Sequence, residues 1–275
     1  MKILDTMPFA RELLAPTYEE VFRREGAVAG PGEIAIDGNW ALALYATEGV
    51  VPLAGDHLQQ FFAQSLGVEL DCCGVEKRIV LDVDPALGDN PETHLLRVTD
   101  NRVEVIGAGP QGVWQGVFRL ENLMKERGGP FVPLGEEQRT PLFKHRIHRS
   151  CFSPFYKEEL TGYYGDPFNV EWLSPGMAYP AYLEEDAGPD MFYHDNMLMR
   201  LAEHGFNGLW IRGSFRHYAK VDVFPEFGAN ADVIVPRLRD VAQRAARYGL
   251  KVFLYLNEPL CIAEEDEFFK RHPQC

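Results

Sequence analysis

Long apolar runs are missing from this 275-residue chain, and none reaches the 18 residues of a membrane-spanning helix. The N-terminal stretch MKILDTMPFARELLAP lacks the apolar centre of a secretory signal. Positive charge is scarce: 27 Lys and Arg stand against 41 Asp and Glu, a net charge of -14. That balance argues against nucleic acid as the main partner and leaves neutral or cationic ligands open. Cysteine is sparse and odd in number, at Cys72, Cys73, Cys151, Cys261 and Cys275. Without paired spacing these five predict reduced thiols in a cytoplasmic protein. The adjacent Cys72 and Cys73 do not have a metal spacing, and no histidines stand at i, i+4 on a helix. No metal and no cofactor are expected. Internal repeats and low-complexity segments are absent.

What is present divides near residue 139. Residues 1–29 read as a leader with a short charged helix over Tyr18–Glu25. Glu33–Asp37 and Ala41–Tyr45 read as strands around the turn Gly38-Asn39. Leu58, Phe61, Phe62 and Leu66 have helical spacing, and Gly67 stops that helix. Three further strands are expected at Arg78–Val83, His94–Val98 and Arg102–Ala108, the last two joined by a turn at Asp100-Asn101. A helix then opens at Pro110, with Val113, Val117, Leu120 and Leu123–Met124 forming one face. This order predicts a small α+β domain over residues 30–138, its helices on one sheet face. Such a domain is expected to fold on its own.

After Thr140 the pattern changes. HRIHRS, FNGLWIRG and LKVFLYLN read as strands, and HDNMLMRLAEHG and VIVPRLRDVAQRAARYG as the helices between them. Apolar strands alternating with helices predict a parallel sheet with right-handed crossovers. Residues 139–275 thus form an α/β segment resembling the first three βα units of a TIM barrel, where eight close the fold.

Several residues carry chemistry in principle. Gly107–Gly112, GAGPQG, matches a dinucleotide fingerprint, but the strand before it is the second arm of a hairpin. Structural glycines at a strand-to-helix turn are the better reading. Strand alternation sends Arg146 and His148 to one face and His145 and Arg149 to the other. An arginine at a strand's C-terminal end is placed to hold sugar hydroxyls, or to pair with a carboxylate. Arg212 ends the second strand, and Asn207, Trp210, Arg216 and His217 lie on or after it; each singly suits a structural ion pair or packing role. The long stretch from Phe152 to Phe192 is rich in aromatics, including Tyr163, Tyr164 and Trp172, with Tyr193 just beyond. It suits a wall or lid on the same end, although most of its rings are expected to pack the loop itself.

Taken together, VEVIGAGPQGVWQGVFRLENLM, FKHRIHRS, FNGLWIR and YGLKVFLYLNEP resemble the β-hexosaminidase family of glycoside hydrolases and its relatives, which include bacterial α-glucuronidases. The resemblance implies an accessory α+β domain ahead of a βα barrel. It places Arg146 on a sugar-binding Arg, Asn207 on a family Asn, Asn257 on a family Asp and Pro259 on a family Pro. Arg212 falls where hexosaminidases usually have His, and Leu260-Cys261 replace a His after the third strand. Glu258, in the setting Asn-Glu-Pro, stands where barrel glycosidases often hold a proton donor, yet on the third strand rather than the fourth. Glycoside hydrolysis needs two groups set across the bond, and Glu258 alone is only one of them.

The expectation is therefore a glycoside hydrolase-like chain whose full-length relative cleaves an oligosaccharide, hexosaminide or glucuronide. The catalytic residues are unknown, with Glu258 the one candidate, and the pocket candidates are Arg146, Arg149, Arg212, Asn257 and Glu258. The chain alone is expected to lack activity. The rival is a truncated protein that binds carbohydrate without cleaving it and self-associates through its incomplete barrel. A nucleotide-binding protein using GAGPQG is the distant third.

Overall fold

The computed structural model describes residues 15–71, 73–74, 76–149, 193–213, 218–225, 227–228, 231–256 and 267–275. These divide into two compact units, residues 15–144 with 202–205, and the remaining described residues from His145 onward.

In the first unit, strands β1 (Glu33–Ala35), β2 (Trp40–Leu44), β3 (Lys77–Val83), β4 (His94–Thr99), β5 (Arg102–Gly107), β6 (Phe131–Pro133) and β7 (Gly135–Arg139) alternate with two helices. The main sheet has the order β2-β3-β5-β4-β7. The β4–β5 hairpin closes at Asp100-Asn101, with Thr99 facing Arg102. Gly38-Asn39 does not close a hairpin. Asp37 Oδ1 accepts the Asn39 N–H at 3.0 Å and turns the chain. β1 then pairs antiparallel with β6 while β2 pairs parallel with β3. A turn residue fixes a local bend, but which strands meet is decided by what lies across the sheet.

Helices α1 (Val51–Gln60) and α2 (Pro110–Arg127) cover one face. α1 runs on into a π-helical turn over Phe61–Ser65, and Gly67 follows with φ +66°. Val113, Val117, Leu120 and Met124 of α2 are buried against Ile79, Leu81, Val103 and Val105. Each such side chain removed from water contributes about 1.5–3 kcal/mol. The opposite sheet face carries a cluster of ion pairs. Arg97 contacts Glu104 at 3.0 Å and Glu136 at 2.6 Å, and Arg102 contacts Glu104 at 2.8 Å. Burial pushes the Glu104 carboxyl up, but Arg102 and Arg97 pull it down further, so it lies below its ordinary value.

β6 and β7 are two strands that the sequence pattern missed. GEEQR has no apolar alternation, because β7 is an edge whose charged side chains face water on both sides. The expected helix over Tyr18–Glu25 is also absent: only Thr17–Glu19 forms one 3-10 turn. The segment is a strap instead. Phe22 N–H donates to Ser65 O at 3.0 Å, and Arg24 N–H to Gly128 O at 2.8 Å. Ser65 Oγ donates to Tyr18 O at 2.7 Å. Eight residues are too few to nucleate a helix alone, and these bonds to the ends of α1 and α2 compete for the same backbone groups.

The GAGPQG turn holds no space for a phosphate. A Cβ on Gly112 would lie 2.3 Å from Thr93 O, and one on Gly107 would lie 2.3 Å from Val113 N. The Gly112 N–H already donates to Pro91 O at 2.9 Å. These glycines let the helix start close to β5 and the 91–93 loop, as expected of structural glycines.

His94 of β4 is buried, and its Nδ1 lies 3.3 Å from Glu92 O. A carbonyl only accepts, so Nδ1 carries the proton. Burial holds the imidazole below its ordinary 6.5, against the upward pull of the Glu92 carbonyl. The folded chain therefore binds that proton more weakly than the unfolded chain. The contribution of His94 is intact above about pH 6.5 and is lost as pH falls below it, through the folded value. His148 is shifted the same way by burial. Glu104 and Glu137 are shifted down from 4.5, so their contribution is lost at lower pH still. Denaturation midpoints should stay level from pH 8 to 7 and decline from about 6.5. His94→Gln should flatten the decline between pH 6.5 and 5. An unchanged slope in that variant would remove His94 from the account.

In the second unit, β8 (Ile147–Arg149), β9 (Gly208–Gly213) and β10 (Lys251–Leu256) form a three-stranded parallel sheet in the order β10-β9-β8. Helices α3 (Asp195–Glu203) and α4 (Ala231–Arg247) are the crossovers, and the short α5 (Glu267–Arg271) follows. Gly205 and Gly249 adopt φ +81° and +74° at the helix C-termini. There Phe206 N–H donates to Leu201 O and Leu250 N–H to Ala245 O, each at 3.0 Å, which satisfies the last carbonyls.

Candidate functional site

In a parallel sheet of βα units the C-terminal strand ends carry the site residues, because the loops that follow converge there. The register sets which residues share a row. Arg149, Trp210 and Phe253 are in register, as are Arg212 and Tyr255. Residues two apart on a strand share a face. One face therefore holds Ile147, Gly208, Trp210, Phe253 and Tyr255, and the other holds His148, Leu209, Ile211, Val252 and Leu254. Leu209 and Ile211 are buried, and His148 meets the Phe206 ring edge-on at 5.3 Å.

The first face is aromatic. Phe253 lies back over Gly208, where an added Cβ would come within 2.5 Å of its ring, and meets His145 edge-on at 5.4 Å. Nearer the C-terminal end, the Trp210 and Tyr255 rings lie 5.0 Å apart at 32°. Tyr255 is 42% exposed.

The expected site residues separate. Arg149 is the last residue of β8, and Arg212 is the fifth of six residues in β9, so their strand positions lie toward the C-terminal ends. Arg146 precedes β8, at the other end of the sheet. Its backbone N–H donates to Asn207 Oδ1 at 2.8 Å. Asn207 N–H donates in turn to Arg146 O, and Lys251 N–H to Asn207 O. Asn207 is thus a clamp that ties the N-terminal ends of the three strands. The sheet does not bring Arg146 to Arg149 and Arg212. Asn257 and Glu258 lie outside the described residues, as do Arg216, His217 and the aromatic stretch from Phe152 to Phe192. Tyr193 is buried, and its carbonyl accepts from Arg244 Nη1 at 3.4 Å, so it packs the scaffold.

None of β8, β9 and β10 carries an Asp or Glu. Among the described residues no group of three or more His, Cys, Asp or Glu is placed to hold a metal ion. No helix among them is long and apolar enough to cross a membrane.

A concavity lies in the first unit. A groove of about 370 Å³ opens beside α2, lined by Leu96, Val98, Arg119, Leu123, Pro133 and Glu137 among others. Glu136 also borders it, but two adjacent strand residues point to opposite faces and cannot flank one bond. Glu137 is held by Arg119 at 2.9 Å and Arg139 at 2.6 Å. Burial pushes its carboxyl up and the two arginines bring it below the ordinary value, so it is a fixed anion unsuited to proton donation. Sequence pattern gave no sign of this groove, because β7 itself was unrecognised.

No protein-family model and no curated protein matches the sequence. Solved structures do. A GH138 enzyme targeting pectin rhamnogalacturonan II superposes with a TM-score of 0.53 at 15% identity, over 79% of this chain and 31% of its own. The GH20 β-N-acetylhexosaminidase from Streptomyces coelicolor A3(2) gives 0.52 at 15%, over 87% of this chain and 46% of its own. The Streptomyces plicatus N-acetyl-β-hexosaminidase in complex with thio-NAglucal gives 0.53 at 16%, over 89% and 47%. At these identities the likeness is one of fold. The chain has a glycoside hydrolase-like fold of the β-hexosaminidase type, and it spans less than half the length of these three structures.

Proposed function

We propose that this chain supplies the accessory domain and the first barrel strands of a glycoside hydrolase. The complete form hydrolyses an O-glycosidic bond in an oligosaccharide of the hexosaminide or glucuronide type. Residues 30–138 form the accessory domain and 139–275 the barrel segment. The observation that supports this most is the order of units: a mixed sheet under two helices, then parallel strands in sequential order, superposing on most of its length with the S. plicatus enzyme solved with thio-NAglucal. In this reading Arg149 and Arg212 are the arginines best placed for substrate hydroxyls, being nearer the C-terminal strand ends than Arg146. Asn257 and Glu258 are further candidates just past β10.

Two opposed groups are needed for the reaction, and Glu258 is one at most. Pure 1–275 should therefore turn over neither 4-nitrophenyl N-acetyl-β-glucosaminide nor 4-nitrophenyl glucuronide. Turnover by the 275-residue chain that disappears in Glu258→Gln would overturn this and make Glu258 the acid. The Trp210–Tyr255 pair, with Tyr255 exposed and Trp210 half-buried, favours a second reading, a chain that binds carbohydrate without cleaving it.

A further inference from the structure

We infer that Arg78, Arg102 and the Tyr45 hydroxyl form an oxyanion site on the sheet face of the first unit that lies opposite α1 and α2. Its occupant is a carboxylate or a phosphate. In the form that rests on the carbohydrate reading above, the carboxylate belongs to an acidic sugar.

Register brings the three groups together. Arg78 of β3 and Arg102 of β5 are direct partners across the sheet. Like charges so placed repel each other. Tyr45 extends β2, and its N–H donates to Leu81 O at 2.9 Å. Alternation puts its ring on the face of Ala41, the register partner of Arg78. Arg78 Nη1 lies 3.5 Å from the Tyr45 hydroxyl, and the Arg102 guanidinium carbon lies 5.8 Å from the centre of its ring. Tyr45 is 53% exposed, so the place is open to solvent.

The sign of charge alternates along the contacts that cross this face, and then the alternation stops. Glu136 meets Arg97, Arg97 meets Glu104, and Glu104 meets Arg102. Where the next anion is due stands the neutral phenol, followed by Arg78. Arg78 meets no carboxylate among the described residues: its Nε donates to Gly74 O at 3.3 Å and its Nη1 to Tyr45. Asp82, on the same face, has its Oδ1 turned to the Val83 N–H at 2.9 Å. The Arg78 contact, and then Arg102, hold the Tyr45 phenol below its ordinary value, so negative charge is favoured at this point. The groups left over are donors, namely the phenol proton and the remaining guanidinium N–H groups. An oxyanion offers lone pairs to several donors, and a planar guanidinium meets two of its oxygens at once. The chain as a whole carries a net charge of -14 and repels anions, so binding here depends on the local donors.

The test is ligand-observed NMR on the 275-residue chain, with methyl β-glucuronide, methyl β-glucoside and inorganic phosphate as probes. Saturation transfer to the glucuronide and none to the glucoside is the result expected for a sugar carboxylate. Broadening of the phosphorus line marks free phosphate as the occupant. Arg78→Gln should weaken the bound anion at least about tenfold, and Tyr45→Phe about fivefold. Arg139→Gln, which removes the same charge from the far edge strand β7, should stay within about twofold. Equal losses in Arg78→Gln and Arg139→Gln would overturn the site, because net charge alone would explain the binding. Binding of neither anion by wild type would overturn the site and leave the carbohydrate reading standing. Equal binding of both sugars, unchanged by Arg78→Gln, would also overturn the site while supporting the carbohydrate reading. Phosphate binding that depends on Arg78, with neither sugar bound, would keep the site and overturn its acidic-sugar form. Thermal midpoints check folding, and Tyr45→Phe, which removes one hydroxyl, covers the case in which Arg78→Gln unfolds.

Discussion

His57→Ala is expected to destabilise the first unit by about 3 kcal/mol, with His57→Leu/Glu121→Leu recovering most of that loss. His57 on α1 and Glu121 on α2 approach to 3.0 Å, and each side chain is 1% exposed. The approach is close but poorly aligned: neither ring nitrogen of His57 nor either carboxylate oxygen of Glu121 has a hydrogen-bond partner. Around them stand Tyr18, Trp114 and Phe118, whose rings lie 5.5–5.7 Å from the imidazole. Removing the imidazole would leave the carboxylate in an aromatic pocket, with Lys125 Nζ 3.7 Å away as its remaining partner. An uncompensated buried ionisable group is among the most costly single defects, whereas replacing both by apolar residues of similar volume is often close to neutral. Urea midpoints of the wild type, His57→Leu, Glu121→Leu and the double variant form the cycle. A double variant as unstable as the sum of the singles would show that the two groups do not act as a pair.

The second large effect is expected at Gly112. Gly112→Ala would place a methyl 2.3 Å from Thr93 O, 2.8 Å from Gly107 Cα and 3.0 Å from Pro91 O. All three neighbours are backbone, so no side chain can swing aside. The 91–93 loop must move, and with it the bonds from Gly112 N–H to Pro91 O and from Ala108 N–H to Thr93 O, now 2.9 and 2.8 Å. The cost should be about 3 kcal/mol, at the upper end for overpacking. Gly116→Ala gives the comparison. Its methyl would meet a Val105 methyl at 2.5 Å, a side-chain rather than a backbone atom, though that valine is itself buried. Its cost should be clearly smaller, and equal costs would mean that backbone crowding is not the cause. NAD should alter the midpoint of neither wild type nor variant, since the helix N-terminus is already occupied by Pro91 O.

His57 and Glu121 also mark how far sequence reading reaches. His57 lies among Ala54, Leu58 and Phe61, at the spacing of a buried helix face, and Glu121 sits beside Val117, Leu120 and Met124 in the same way. Each broke an apolar stripe, and that signal was present in the sequence. That the two breaks face each other required the packing of α1 on α2. The candidate site divides likewise. Arg149 and Arg212 could be placed near strand ends from pattern alone, because a period of two and strand length set which residue comes last. The separation of Arg146 from them depended on where β8 begins, a boundary set by its pairing with β9 and by the Asn207 clamp.

The sequence by itself determined the types of most elements and the change from a mixed α+β unit to alternating parallel strands. Hydrophobic periodicity and helix-stopping glycines are local, and they survive without knowledge of neighbours. Only the tertiary structure decided that β1 pairs with β6, that GEEQR is a strand, that residues 17–24 are a strap rather than a helix, and that Trp210 meets Tyr255. Each of these depends on backbone groups or rings far apart in the chain, whose partners are chosen by register and burial rather than by local preference.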